Sequence, residues 1–170
     1  MNRKRIAQAL LVVGLGAAVF FGYPVVQNYL VAKRNGFLDP VEREGYAPTT
    51  QGNLKAIHTA LMLYADSEGQ FPEGSGWMDA IENRLQTNKL KAGEGLKKLR
   101  SPRFSGDSEY GYALNPACAA KYPGDIREPN KTILVFDTEE SKKNASADPS
   151  SGLKGGLGIT VSGDVVELPK

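Results

Sequence analysis

The sequence has a single Cys and a single His in 170 residues. One Cys excludes an internal disulfide framework and a Cys-rich zinc site. One His excludes a multi-His metal site within one copy of the chain, and any Ser-His-Asp arrangement would have to use His58. Charge is absent from one long stretch: no charged residue lies between Arg5 and Lys33, and no acidic one precedes Asp39. There is no internal repeat and no long low-complexity tract. Charged residues at 24% and hydrophobic ones at 41% exclude wholesale disorder. The length suits one domain plus an appendage, not two full domains.

What charge there is sits unevenly. The chain carries 21 Lys and Arg against 19 Asp and Glu, and three of the basic residues are Arg3, Lys4 and Arg5. The remainder is therefore slightly acidic on balance. A nucleic-acid binder needs a basic patch on its folded body, so that class is disfavoured and no nucleic-acid partner is expected.

From Ile6 to Val26 only Gln8 is strongly polar. About 20 helical residues at roughly 1.5 Å each span a hydrocarbon core of roughly 30 Å. The Arg3-Lys4-Arg5 cluster is expected to stay cytoplasmic and the body to cross, with Tyr23 and Tyr29 where interfacial aromatics sit. The alternative is a cleaved signal peptide with a small-residue site near Ala17-Ala18. The apolar run is longer than a usual signal core and continues through Val19, Phe20 and Phe21, which favours an uncleaved anchor in the bilayer. Pro24 would kink the helix rather than end it. The expected organisation is an anchor over 1–35 and an extracytoplasmic domain over 36–170, on a single-pass protein of the cell inner membrane with a periplasmic body.

The segment from Gly36 to Pro48 is rich in turn formers and reads as a loop. Thr49, Thr50 or Asn53 could cap the helix that follows, in which Leu54, Ile57, Leu61 and Tyr64 recur at steps of three and four with Ala65 beside them. That helix should end near Gly69. A short helix is expected from Trp77 to Leu85, with Trp77, Ile81 and Leu85 on one face, and a further turn from Gly95 to Arg100. The C-terminal half changes character. Tyr110–Leu114 and Thr132–Phe136 read as strands. Leu157–Val161 and Val165–Leu168, joined by Ser162-Gly163-Asp164, read as a hairpin. Between the first two strands and this hairpin, 138–156 is polar and rich in Ser and Gly, and reads as a mobile loop. Helices followed by antiparallel strands give an α+β fold. The helix stripe should lie on the inward faces of the strands, the only apolar surfaces large enough to cover it.

Three stretches carry a resemblance. The apolar helix with Pro24 near its outer end runs on through Gln27, Asn28 and Tyr29 to Asn35. The sequence NLKAIHTALMLYADSEGQFPEG places Tyr64, the Glu68-Gly69 turn and the Phe71-Pro72 pair in one order. The third stretch is YGYALNPACAAKYPGDIREPNKTILVFDTEE with its closing hairpin. Together they resemble type IV pilin-like proteins, especially the pseudopilins of type II secretion. The resemblance implies a long N-terminal membrane helix, a second helix packed on a small C-terminal antiparallel sheet, and partners among other pilin-like or secretion-system subunits. This sequence departs from the family pattern in having Arg5 directly before Ile6 with no Gly, and no acidic residue early in the apolar helix. The His-x9-Asp-Gly tag is absent as well. Cleavage by a prepilin peptidase is therefore not expected.

Candidate chemistry is sparse. His58, beside Ile57, is the candidate general base, yet no acid or nucleophile stands next to it in sequence, so a packing histidine is the stronger reading. Cys118, in NPACAAKYPG, has no second Cys to resolve it and reads as a small apolar residue. Asp137, Glu139, Glu140 and Asp148 flank the Ser-rich stretch and are weak calcium candidates, since pseudopilins are similar in carrying calcium in this region. Lys142 and Lys143 interrupt them and the spacing is not that of an EF-hand, so a solvated charged loop is the plainer reading. No catalytic residue and no other cofactor is assigned. Gly152, Gly155, Gly156 and Gly158 lack a GK[ST] ending and precede a strand pattern, which excludes a phosphate loop. Asn130-Lys131-Thr132 and Asn144-Ala145-Ser146 match the glycosylation pattern and are given no role. Two function classes remain. One is a membrane-anchored structural subunit acting by protein–protein contact, not an enzyme. The other is an anchored ligand-binding domain or enzyme using His58 or Cys118.

Overall fold

A computed structural model describes residues 46–87, 90–106 and 109–169. These belong to the second of two compact units, Arg43–Lys170. The expected membrane span Ile6–Val26 and its kink at Pro24 lie outside the described residues. Among the described residues no helix is long and apolar enough to cross a membrane.

The first described helix, α1, runs Thr50–Glu68. Thr49 is its cap: the backbone there is extended and the side chain accepts from the Gly52 N–H at 3.1 Å. Gly69 closes it in the left-handed conformation, its N–H bonded to the Ala65 carbonyl at 2.8 Å. Leu54, Ile57 and Leu61 are fully buried and Tyr64 half-buried, as the spacing requires. The next helix, α2, spans Trp77–Leu85 and buries Trp77, Met78, Ile81 and Leu85. A 3-10 segment follows at Glu94–Leu99.

Four strands complete an α+β fold: β1 Tyr112–Leu114, β2 Ile133–Asp137, β3 Leu157–Thr160 and β4 Val165–Glu167. They form one antiparallel sheet in sequence order. A register shift between Ile133 and Val135 lets two consecutive residues, Leu134 and Val135, enter the same core. β1 is shorter than expected because Gly111, at φ 78°, turns the chain into it with the Phe104 ring closed over its Cα. The hairpin turn is as expected, with Gly163 at φ 93° and the Thr160 N–H bonded to the Asp164 carbonyl at 2.9 Å.

The stripe of α1 packs on Leu134, Val135, Ile159 and Val161, as expected, but the sheet is not its only cover. Trp77, Met78, Ile81 and Leu85 of α2, with Leu99, belong to the same core. A short helix with four buried apolar side chains offers enough surface to share the burial, which a strand-only account leaves out.

The 138–156 stretch, read from its composition as a loop, is irregular but bonded to the rest of the body at several points. The second face of the sheet is also apolar, with Ala113 and Phe136 gathered against Ala145 and Leu168, and the loop folds back to cover it. Leu114 exchanges main-chain bonds with Ala145 and Ala147 at 3.0 and 3.1 Å. The Trp77 indole donates to the Ala145 carbonyl at 2.9 Å. Helix α2 has no side-chain cap of its own at Gly76. Instead Asn144, left-handed at φ 58°, accepts the Met78 N–H on Oδ1 at 2.7 Å and donates from Nδ2 to Asp79 at 2.6 Å. Lys143 bridges Asp79 and Glu82 on the same helix. The hydrogen bonds from Lys143 and then Asn144 hold the exposed Asp79 carboxyl below its ordinary range.

Two substitutions test this packing. Leu61→Ala in the full-length chain should cost about 2–5 kcal/mol, the range for a large-to-small change at a filled core site, and denaturant midpoints measure it. An unchanged midpoint would place the stripe elsewhere. Asn144→Ala should cost about 0.5–2 kcal/mol, the range of a lost helix cap, and should raise hydrogen exchange at the Met78 amide above that at Leu61.

Candidate functional site

The sequence-derived candidates are dispersed. His58 lies on α1 and its Nε2 donates to the Val161 carbonyl at 2.9 Å. The imidazole also rests on Gly163, where a Cβ would come within 3.1 Å of its Cε1. Both contacts tie the helix to the β3–β4 turn, and none of the described salt bridges or hydrogen bonds gives His58 a carboxylate partner. With Nε2 donating to that carbonyl, the imidazole serves as a link between α1 and the hairpin.

Cys118 is buried and unpaired, in the turn that follows β1. Its Sγ lies 3.8 Å from the Ile133 carbonyl. Asn115 builds that turn, donating from Nδ2 to the Ile133 carbonyl at 2.7 Å and accepting the Ala117 N–H at 2.9 Å. The Phe71-Pro72 pair docks on the same turn through the Phe71 N–H and the Lys121 carbonyl, 2.8 Å apart. Burial pushes the thiol up to about 11, so the nucleophilic thiolate is scarce at neutral pH.

The four acidic candidates do not converge. Asp137 is buried at the end of β2, where Oδ2 accepts the Leu157 N–H at 3.1 Å. Glu140 pairs with Lys142. Asp148 caps a 3-10 turn at Pro149–Ser151 by accepting from the Ser150 N–H at 2.9 Å, and the Ser150 side chain and then this N–H lower its carboxyl. Glu139 lines a surface depression of about 480 Å³ together with residues 149–154, Leu168 and Pro169. Neither His58 nor Cys118 reaches that depression. Among the described residues no three His, Cys, Asp or Glu side chains gather as a metal ion would need. Of the two sequons, Asn144 is spent on capping α2.

The group of polar residues that does converge was missed by pattern reading. Asn53 was read as a cap candidate. It is instead buried inside the first turn of α1, where it accepts the Tyr46 hydroxyl and donates to the Arg100 carbonyl at 2.8 Å. The Tyr46 N–H is bonded to Glu94 at 2.6 Å, which lowers the Glu94 carboxyl. Tyr112, Ser101 and Asp137 complete the group. The Tyr112 hydroxyl, Ser101 Oγ and Asp137 Oδ1 are buried and have no hydrogen-bond partner among the described residues. Burial raises both tyrosine hydroxyls above their ordinary value. An apolar tally leaves Asn53 out of the helix stripe. The available signal was its position, one residue before Leu54 and three after Thr50, on the inward side of the first turn.

No family model, no curated protein and no solved structure matches this chain.

The Cys118 geometry gives an expected outcome. A thiol reagent should leave Cys118 unmodified in the native protein and modify it fully once the chain is unfolded. Rapid stoichiometric labelling in native buffer would show an accessible thiol and contradict the burial.

Proposed function

We propose that this chain is a membrane-anchored, pilin- or pseudopilin-like structural subunit that works by protein–protein assembly in a secretion or pilus-type system. One observation carries the reading: an amphipathic helix lies across one face of a four-stranded antiparallel meander, in the element order that the pilin-like resemblance of the sequence implies. In support, most of the candidates for chemistry are spent on structure. His58 joins helix to hairpin, Cys118 fills a turn, Asp137 accepts a main-chain N–H, Glu140 pairs with Lys142 and Asp148 caps a 3-10 turn. On this proposal Ile6–Val26 is the single span, the N-terminus is cytoplasmic and the body lies outside, with other pilin-like subunits as partners. Gly14 and Ala18, four residues apart, form the lateral contact within the bilayer.

The test is in-membrane crosslinking of the full-length chain beside Gly14→Leu with Ala18→Leu, each with a circular-dichroism melt. The expected result is a crosslinked species that is lost in the double variant while the melt is unchanged. Absence of crosslinking in the unaltered chain, or its persistence in the variant, overturns the lateral contact. Turnover in a hydrolase screen that disappears in His58→Ala would replace the structural reading with the enzyme one.

A further inference from the structure

The near balance of charge over the body conceals one basic segment. From Lys91 to Arg103 the chain carries Lys91, Lys97, Lys98, Arg100 and Arg103 against a single acid, Glu94. Lys91, Lys97 and Arg103 are exposed and Arg100 is half-buried. Lys98 is partly withdrawn: its Nζ donates to the Leu85 carbonyl at 3.2 Å, and burial lowers its ammonium. Glu94 takes the Tyr46 N–H at 2.6 Å and Lys97 at 3.2 Å, so it offsets Lys97 alone. The 3-10 segment at Glu94–Leu99 also presents Leu96, 44% exposed, beside Lys97. Lys97 and Arg100, three residues apart, fall on one side of that turn. They line a depression of about 220 Å³ with Tyr46, Phe104 and Ser105.

Cations beside an exposed aliphatic side chain suit one kind of surface. An anionic bilayer supplies phosphates for Lys and Arg and, just beneath them, acyl chains for a Leu. A nucleic acid supplies the phosphates alone and rewards exposed aromatic faces on which its bases stack. The aromatic rings of this region are engaged. Phe104 is half-buried beneath Arg103, Tyr110 lies under Arg100, and the Tyr46 hydroxyl donates to Asn53. Position also favours the bilayer. Tyr46, where the described body begins, is bonded to this same turn through Glu94. Only residues 27–45 separate Tyr46 from the proposed span. A chain covers no more than about 3.6 Å per residue, so an anchored body stays within reach of its own membrane.

We propose that Lys91–Arg103 is a contact surface for the anionic headgroups of the bilayer that anchors the chain, a proposal that rests on the anchored reading given above. Lys91, Lys97, Arg100 and Arg103 meet the phosphates, and Leu96 enters the interface. The anchor alone leaves the body free to turn on its tether. A second attachment at this segment fixes which face the body holds to the membrane, and therefore which faces it offers to neighbouring subunits. The attraction is between exposed charges, so salt screens it.

The test uses the full-length chain carrying Ala92→Cys, an exposed position, labelled with a fluorophore while Cys118 stays buried. It is reconstituted in vesicles of phosphatidylcholine alone or with added phosphatidylglycerol. Flotation with the neutral vesicles reports the anchor. Quenching of the label by headgroup spin-labelled lipid reports the contact. Quenching is expected in the anionic vesicles at low salt and should be lost at high salt. Lys91→Gln, Lys97→Gln and Arg103→Gln together should weaken the contact by about fivefold per charge removed, with an unchanged circular-dichroism melt. If the triple variant does not fold, the lipid and salt dependence of the labelled parent decides alone. Flotation with equal quenching in both lipids, or quenching that survives high salt, overturns the contact and leaves the anchor standing. No flotation with the neutral vesicles overturns the anchor and the contact proposed on it. A larger emission change with an RNA homopolymer than with the anionic lipid makes this a nucleic-acid surface and also overturns the proposal.

Discussion

One helix stripe governs where everything else in the described body can go. Leu54, Ile57 and Leu61 are wholly removed from water, and each fully buried side chain of this kind contributes roughly 1.5–3 kcal/mol. Satisfying that stripe requires apolar surface on two sides, which the sheet and α2 supply together. Helix α2 must therefore sit beside α1 at the sheet, and its own N-terminus comes to lie next to the β2–β3 connection. The Asn144 cap follows from that position. So does the bridge from Lys143 to Asp79 and Glu82.

The same placement has a polar consequence. With Leu54 and Ile57 inward, the first turn of α1 carries Asn53 inward as well. A buried amide must find partners, and it finds them in the Tyr46 hydroxyl and the Arg100 carbonyl. Those partners fix the segment that leads into α1 against the 3-10 segment that begins at Glu94. Two tyrosines, a serine and an aspartate then share one interior region. Three of their polar atoms are unpartnered among the described residues, where a typical buried group left so costs about 1–3 kcal/mol. The fold gains its core at the expense of an unsatisfied polar corner.

Most of the regular structure was legible in the sequence. The spacing of Leu54, Ile57, Leu61 and Tyr64 located α1, and Trp77, Ile81 and Leu85 located α2. Gly163 marked the hairpin, because only a residue free to take positive φ closes so tight a turn. Three things were not legible. Gly111 shortened β1, since its conformation depends on Phe104 lying over it. Leu134 and Val135 broke strand alternation, since a bulge is decided by pairing across the sheet and not by local pattern. The polar corner was invisible because periodicity records apolar positions, and Asn53, Ser101, Tyr112 and Asp137 are brought together only by the tertiary fold.

The 138–156 segment shows why composition misleads most in loops. A polar, Ser- and Gly-rich sequence reports that most of its side chains face water. It says nothing about where the main chain is bonded. Here a few groups hold the segment: the Ala145 carbonyl takes both the Trp77 indole and the Leu114 N–H, and Asn144 caps a helix 66 positions away. Those bonds are specific because their partners are buried and have no water to turn to. Removing the segment would uncover Phe136 and Ala113 and leave the Trp77 N–H unpaired in the core at the same time. A stretch with almost no hydrophobic residues thus becomes part of the interior architecture, and the second face of the sheet is closed by main chain rather than by a second layer of helices.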